Sequence, residues 1–336
     1  MRLVVVTQRV DEDDPALGAT VDKLRALAAR VDELVVLALA AVPTELPANV
    51  RVHTFGGSNQ AVRGARLVAL VARETRRKPV AVLAHMSPIY AVLAAPVTRP
   101  RGVPLLLWFT HWRATRLLSV AERLATRVVT VDPHSYPFQS AKVVPVGHGI
   151  DVGALPRVER PDDGVLRLLA LGRTSPAKGL EPLVRAVSQL GDLRVELEIR
   201  GPSLTAEERR HREELVALGA RVEEPVARSG VADVYARVDV LVNNMRAGAL
   251  DKVVFEAAGS GLPVLVASEG FDGLVGGIEP PLRFAQDDVA SIADHIRGLA
   301  AAGPERRRAI GDELRARVVR DHSVEHWADA VLAAVR

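Results

Sequence analysis

The sequence predicts an α/β protein made of two doubly wound domains that face each other across a cleft, and three observations lead there. At 336 residues the chain is too long for one ordinary core and suits two of roughly 150 to 170 residues each. Short apolar runs alternate with amphipathic stretches, the pattern of βα units feeding a parallel sheet. The apolar share, 48% with only 4% aromatic, is mostly Ala, Val and Leu, as buried parallel strands and their covering helices require.

In the first series, strands are expected near Leu3–Thr7, Leu34–Leu39, Val50–Phe55, Val80–Ala84, Leu105–Thr110, Arg127–Val131 and Lys142–Val146. Helices are expected near Leu17–Ala29, Ala61–Arg76, Ile89–Ala95 and Ala114–Ala125. The stretch Asp151–Gly164 holds two prolines, several charges and no periodicity, which marks a linker between a first domain at 1–150 and a second at 165–320. In the second series strands fall near Leu166–Leu171, Val195–Arg200, Val240–Asn243 and Pro263–Ala267. Helices fall near Leu180–Leu190, Thr205–Leu218, Gly230–Ala236 and Lys252–Gly259, and then Val289–Ala301, Glu305–Val318 and Val324–Val335 close the chain. Residues 321–336, with Trp327 on an apolar helical face, are expected to pack back toward the first domain. Doubly wound domains bind ligands at the carboxyl ends of their strands, and if the two domains face each other those ends line one shared cleft.

Composition removes several function classes. The chain has no cysteine, which excludes disulfides, thiolate metal sites and a cysteine nucleophile and suits a reducing cytosol. No apolar run approaches the ~20 residues of a membrane span, and the amino terminus enters a strand without a signal-peptide pattern. A cytoplasmic protein is expected, with peripheral contact at the inner face of the membrane as an option. That option rests on Arg63, Arg66, Arg73, Arg76, Arg77 and Lys78, which cluster in and after one expected helix. A solvated helix surface is the preferred reading of this cluster; attraction to anionic lipid or polyphosphate is the alternative. Nucleic acid is disfavoured because no aromatic residues interleave with these charges.

The segment Gly172-Arg173-Thr174-Ser175-Pro176-Ala177-Lys178-Gly179 follows a strand and places Arg173 and Lys178 on a strand-to-helix loop. A planar guanidinium and a mobile ammonium at that spacing suit a diphosphate, although lone surface cations are common. Farther on, Asp251 stands as a candidate N-cap for the helix from Lys252, whose first amides at Lys252 and Val253 are natural phosphate donors. Glu256, one turn in, suits ribose hydroxyls or an ion pair with Lys252, and spacing does not choose between them. Asp11-Glu12-Asp13-Asp14 reads as a solvated acidic turn, and no D-x-D element is placed to hold a divalent metal.

Taken together, these segments resemble the retaining GT-B glycosyltransferases of family 4 or group 1, which have two Rossmann-like domains. Gly147-His148-Gly149-Ile150-Asp151 is similar to that family's N-G-[IV]-D turn, and Gly172-Arg173 with Lys178-Gly179 is similar to its G-R…K-G loop. Phe255-Glu256-Ala257-Ala258-Gly259-Ser260-Gly261-Leu262-Pro263-Val264 is similar to its L-E-A-M-A-x-G-x-P-V segment. The resemblance is firm over the second half and weak over the first, where Leu17-Gly18-Ala19 keeps one glycine of a Gly-Gly loop.

The resemblance implies a transferase that moves a hexose-type sugar from a nucleoside-diphosphate sugar to a hydroxyl acceptor with retention. The acceptor could be a sugar, a lipid-linked group or a small molecule, as in polysaccharide or glycolipid synthesis. No cofactor or metal is implied, the nucleotide sugar being a co-substrate. Arg173 and Lys178 would hold the diphosphate and stabilise the leaving nucleotide. Glu256 would bind ribose, Val226 would lie against the base, and Gly18 with the amides of Lys252 and Val253 would approach the outer phosphate. His111 matches a histidine facing the donor sugar; His85 reads as structural or a cleft wall, and His148 as turn chemistry. The family's first glutamate, eight positions before Glu256, is replaced by Gly248, and Asp251 either substitutes for it or caps the helix. That departure favours a rival reading, a catalytically silent relative that binds nucleotide sugar or partners another transferase. An epimerase or phosphorylase on the same fold is a further rival. A dehydrogenase is disfavoured because no G-x-G-x-x-G follows the first strand.

Overall fold

The computed structural model describes residues 1–14, 17–77, 79–155, 157, 163–246 and 250–335. Lys78, Gly248 and part of the expected linker, Pro156 and 158–162, lie outside the described residues. Contacts divide the chain into two units, residues 1–149 with 321–336, and residues 150–320.

The first unit runs β1 (Arg2–Val10), α1 (Ala19–Ala28), β2 (Glu33–Ala41), β3 (Val50–Thr54), α2 (Gln60–Glu74), β4 (Val80–His85), α3 (Pro88–Thr98), β5 (Leu105–Trp108), α4 (Arg116–Leu124), β6 (Arg127–Thr130) and β7 (Val143–Pro145). The second runs β8 (Leu166–Leu171), α5 (Leu180–Ser188), β9 (Val195–Arg200), α6 (Ala206–Ala217), β10 (Arg221–Glu223), α7 (Val231–Tyr235), β11 (Val240–Asn243), α8 (Lys252–Gly259), β12 (Val264–Val266), α9 (Asp272–Val275), α10 (Val289–Ala301) and α11 (Gly303–His322). The last helix, α12 (Val324–Ala333), returns to the first unit. The expected α/β class is the observed one. Two elements were not anticipated, the short edge strand β10 and the single-turn helix α9, both too brief to leave a periodic signal. The strand expected to reach Thr110 ends at Trp108.

Both sheets are parallel, with order β3-β2-β1-β4-β5-β6-β7 in the first unit and β10-β9-β8-β11-β12 in the second. Strands β4, β5 and β11 are buried at every position, and β1 from Leu3 to Thr7, which explains why they read as continuous apolar runs. Strand order reverses between β1 and β4 and again between β8 and β11. Successive crossovers leave such a point toward opposite faces, and the loops there part to leave a crevice at the carboxyl ends.

On one face of the first sheet, α2, α3 and α4 cover Val4, Val6, Val35, Leu37, Val82 and Leu107. The helix α12 packs against α1, and its Trp327 meets Trp108 edge-to-face at 5.5 Å. Lys23 lies over both rings, 5.0 Å and 5.3 Å from their centroids, where the negative ring faces attract an ammonium. The Gly147-His148-Gly149 turn lets this helix come close. A Cβ on Gly147 would stand 2.1 Å from the backbone oxygen of Asp321, and one on Gly149 would stand 2.6 Å from Lys23 Cε.

Gly147→Ala is therefore expected to cost about 3 kcal/mol or more, because the obstacle is backbone and φ is +74°. Val216→Ala, at an exposed position of α6, is expected to cost less than about 0.5 kcal/mol. Urea unfolding of both variants checks the contrast.

Candidate active site

At the reversal point of the second sheet, the chain leaves β8 through Gly172 and Arg173 and leaves β11 through Asn243 and Asn244. These residues line a small pocket together with Lys178, Leu180 and Leu183. Gly172 has φ +133°, and a Cβ there would meet Lys178 Nζ at 2.9 Å, so the lysine lies across a position only glycine leaves open. Lys178 ends a short turn of helix at 176–178 and pairs with the Asp251 carboxylate, and both side chains are 16% exposed. Asn243 Nδ2 donates to the same Asp251 carboxylate at 3.0 Å.

Asp251 sits at the N-cap of α8 but makes no side-chain capping bond. The expected cap is thus corrected: the carboxylate turns to Lys178 and Asn243 because an ammonium is a stronger partner than a backbone amide. Its neighbour Asn244 ties the loop above. Asn244 Nδ2 donates to Gly179 O and to Asp287 Oδ1, both at 2.9 Å, and its Oδ1 accepts from the Asp287 amide at 3.0 Å.

Arg173 is 56% exposed and is tethered at 3.3 Å to Glu208, which is buried. Glu208 also closes the capping box of α6, accepting the Leu204 and Thr205 amides at 2.6 Å and 3.1 Å. One carboxylate therefore starts a helix and steers a loop cation. Glu256 forms the i,i+4 ion pair with Lys252. Behind it Tyr235 is fully buried, with its hydroxyl 3.3 Å from Val253 O. Burial first, and then the carboxylates of Glu256 and Asp251, push that phenol well above its ordinary range. Val253 lies half-buried in the first turn of α8, and Val226, just after β10, is half-buried against the core of this unit.

The structure thus brings Arg173, Lys178, Asp251, Lys252, Val253 and Glu256 to one edge of one sheet. Gly248 lies outside the described residues. Asn243, Asn244, Tyr235 and Glu208 were not singled out from the sequence. Two asparagines directly after the apolar run Val240-Leu241-Val242 were a readable signal, since polar residues at a strand's carboxyl end border the crevice. Nothing local in the sequence marks Tyr235 or Glu208.

In the first unit, Gly18 is buried at the start of α1, its amide donating to Asp14 O at 2.8 Å. The acidic turn before it is bound by arginines: Arg9 pairs with Asp11 at 2.8 Å and Asp14 at 3.4 Å, and Arg25 with Glu12 at 2.8 Å. His111 is exposed in the loop after β5, stacked on Trp112 at 5.4 Å, and its Nδ1 accepts the Arg113 amide at 3.0 Å. His85 is no wall residue. It is buried at the end of β4 and shares a 3.2 Å hydrogen bond with Thr7 on β1. His148 is buried in the turn between the two glycines.

With this geometry in hand, comparison with known proteins defines a class. Sucrose-phosphate synthase from Thermosynechococcus elongatus has a TM-score of 0.76 at 18% identity, covering 99% of this chain and 98% of its own. HepE from Anabaena, in complex with UDP and glucose, has a TM-score of 0.75 at 17% identity, covering 98% of each chain. A UDP-forming α,α-trehalose-phosphate synthase from Burkholderia xenovorans, in complex with glucose-6-phosphate, has a TM-score of 0.70 at 12% identity over 100% of both. The protein has the fold of the GT-B glycosyltransferases. Residues 173–333, just under half of the chain and including every candidate residue of the second unit, match the family model described as glycosyl transferase-like. No curated protein sequence matches the chain. Among the described residues, no helix is long and apolar enough to cross a membrane.

Burial, and next the Lys23 ammonium, push His85 down from its ordinary 6.5 to about 3. The folded state holds it neutral, whereas the unfolded chain protonates it below about pH 6.5. Its contribution is intact above that pH and is lost as pH falls toward 3, at about 1.4 kcal/mol per pH unit. Between pH 7 and 5, urea unfolding is expected to show about 2 kcal/mol less loss of stability in His85→Gln than in the parent.

Proposed function

We propose that the protein is a glycosyltransferase that moves a hexose-type sugar from a nucleoside-diphosphate sugar to a hydroxyl acceptor with retention of configuration. The observation that carries this reading is the meeting of Arg173 and Lys178 at the strand-order reversal of a sheet, within the segment matched by the glycosyl transferase-like family. A diphosphate in that crevice would take Lys178 from Asp251 and draw on the open side of Arg173. Both cations stand at the carboxyl end of the sheet, where they would stabilise the negative charge that grows on the leaving nucleotide. This is the part that a divalent metal plays in other transferases.

Glu256 would exchange Lys252 for ribose hydroxyls, the buried Tyr235 hydroxyl keeping its carboxylate in place. The amides of Lys252 and Val253 would meet the outer phosphate, and Val226 would lie against the base. Asp251, released by Lys178, would face the transferred sugar in place of the glutamate that Gly248 replaces. The absence of cysteine favours a reducing compartment, and we place the activity in the cytoplasm.

A catalytically silent relative is the second reading, favoured by the closure of both cations onto Glu208 and Asp251. Donor binding without sugar transfer to any acceptor would select it.

UDP-glucose is the first donor to try, because HepE was crystallised with it. Lys178→Ala and Arg173→Ala are each expected to weaken nucleotide-diphosphate binding about ten- to a hundredfold by calorimetry, the value of a charge-assisted phosphate contact. Parent-like binding by both variants would displace the site.

A further inference from the structure

The first unit carries an apolar and cationic surface that the proposed chemistry does not use. Trp112, in the loop before α4, is 58% exposed, and Leu117 and Val120 on α4 are exposed as well. Ile89, the second residue of α3, is also exposed. The helices α3 and α4 pack side by side and follow the paired parallel strands β4 and β5. Both helices therefore begin at the carboxyl edge of the sheet, which brings Ile89 to the same end as Trp112 and Leu117. Along α4, the spacing of Arg116, Val120 and Arg123, and of Leu117, Val120 and Leu124, places charge and apolar surface side by side.

The charge along α4 and the loop before it is mostly of one sign. There the chain carries Arg113, Arg116 and Arg123 against a single acidic residue, Glu122; Arg99, Arg101 and Arg127 fall at the opposite edge, where α3 ends and β6 begins. Glu122 accepts a hydrogen bond from the Tyr136 hydroxyl at 3.1 Å. The arginine-rich helix α2 is different. Arg63 donates to Gly57 O at 2.9 Å, Arg66 donates to Gly56 O, Arg73 pairs with Glu74 at 2.7 Å, and no large apolar side chain of α2 is exposed. The surface option raised for α2 therefore belongs to α4.

We propose that Ile89, Trp112, Leu117 and Val120, with Arg113, Arg116 and Arg123 beside them, dock on the surface of an anionic lipid bilayer. Apolar side chains at the start of two helices enter the boundary between headgroups and acyl chains, and neighbouring guanidiniums pair with lipid phosphates. An exposed tryptophan suits that boundary because its ring is apolar and its N–H is polar. A rim that is mostly cationic around apolar side chains complements a uniformly anionic sheet with an apolar interior.

The test is sedimentation with phosphatidylglycerol or phosphatidylcholine vesicles, together with tryptophan emission. Trp108 and Trp327 are buried, so a blue shift on binding reports Trp112. Binding is expected with phosphatidylglycerol at low salt, with a blue shift, and with weakening at about 0.5 M salt. Leu117→Glu combined with Val120→Glu should abolish it. Arg113→Gln combined with Arg116→Gln should weaken it about thirtyfold. Arg76→Gln combined with Arg77→Gln, after α2, should leave it within about twofold, and thermal melting confirms that each variant folds. Absence of sedimentation at low salt, parent-like sedimentation of the Leu117/Val120 variant, or sedimentation without a blue shift would each overturn the proposal.

Discussion

Close approach of backbone that glycine alone permits holds the carboxyl edge of the second sheet together. A Cβ on Gly201 would stand 2.0 Å from the Gly172 oxygen, so the loops after β8 and β9 touch without side chains between them. Gly179 has φ +59°, and a Cβ there would meet Asn244 Nδ2 at 2.3 Å and Asp287 Oδ1 at 2.7 Å. The 176–178 turn is thereby held between Gly172 on one side and Asn244 and Asp287 on the other. Lys178 lies across Gly172 and toward Asp251.

On that frame each candidate cation of the second unit has a carboxylate partner of its own: Arg173 with Glu208, Lys178 with Asp251 and Lys252 with Glu256. Pairing lowers the cost of keeping the lysines partly buried and fixes where each charge points. It also leaves three carboxylates in place to take up other partners once a ligand draws the cations away. The first unit solves a similar problem with rings, because Lys23 rests between Trp108 and Trp327 while the nearby His85 stays neutral. A neutral imidazole beside an ammonium avoids the repulsion that a second buried charge would bring.

The fold was legible where physics acts locally. Runs such as Leu166–Leu171 and Val240–Asn243 marked strands to the residue, since short, mostly apolar stretches bounded by glycine, asparagine or charge stand out from their surroundings. Short elements were not legible, because β10 and α9 are below the length at which a period can be read. Asp251 had the residue type and position of a helix cap, but a lysine from 73 residues away took its carboxylate. His85 and His111 looked alike as histidines after strands; one is sealed against Thr7 and the other lies open on Trp112.

The sequence by itself determined the α/β class, the run of strands and helices, the lack of thiol chemistry and the loop that carries Arg173 and Lys178. These follow from periodicity, composition and local spacing, which act within a few residues of the chain. Tertiary structure alone decided which strands lie at the reversal of order, and so which loops share an edge. It also decided that Asp251 answers Lys178, that Tyr235 backs Glu256, and that Ile89 on α3 and Leu117 and Val120 on α4 stand exposed while α2 exposes no large apolar side chain. Those outcomes depend on parallel pairing and helix packing between segments far apart in sequence, and no local pattern encodes the partner that a side chain meets once its own neighbours have been chosen by the fold.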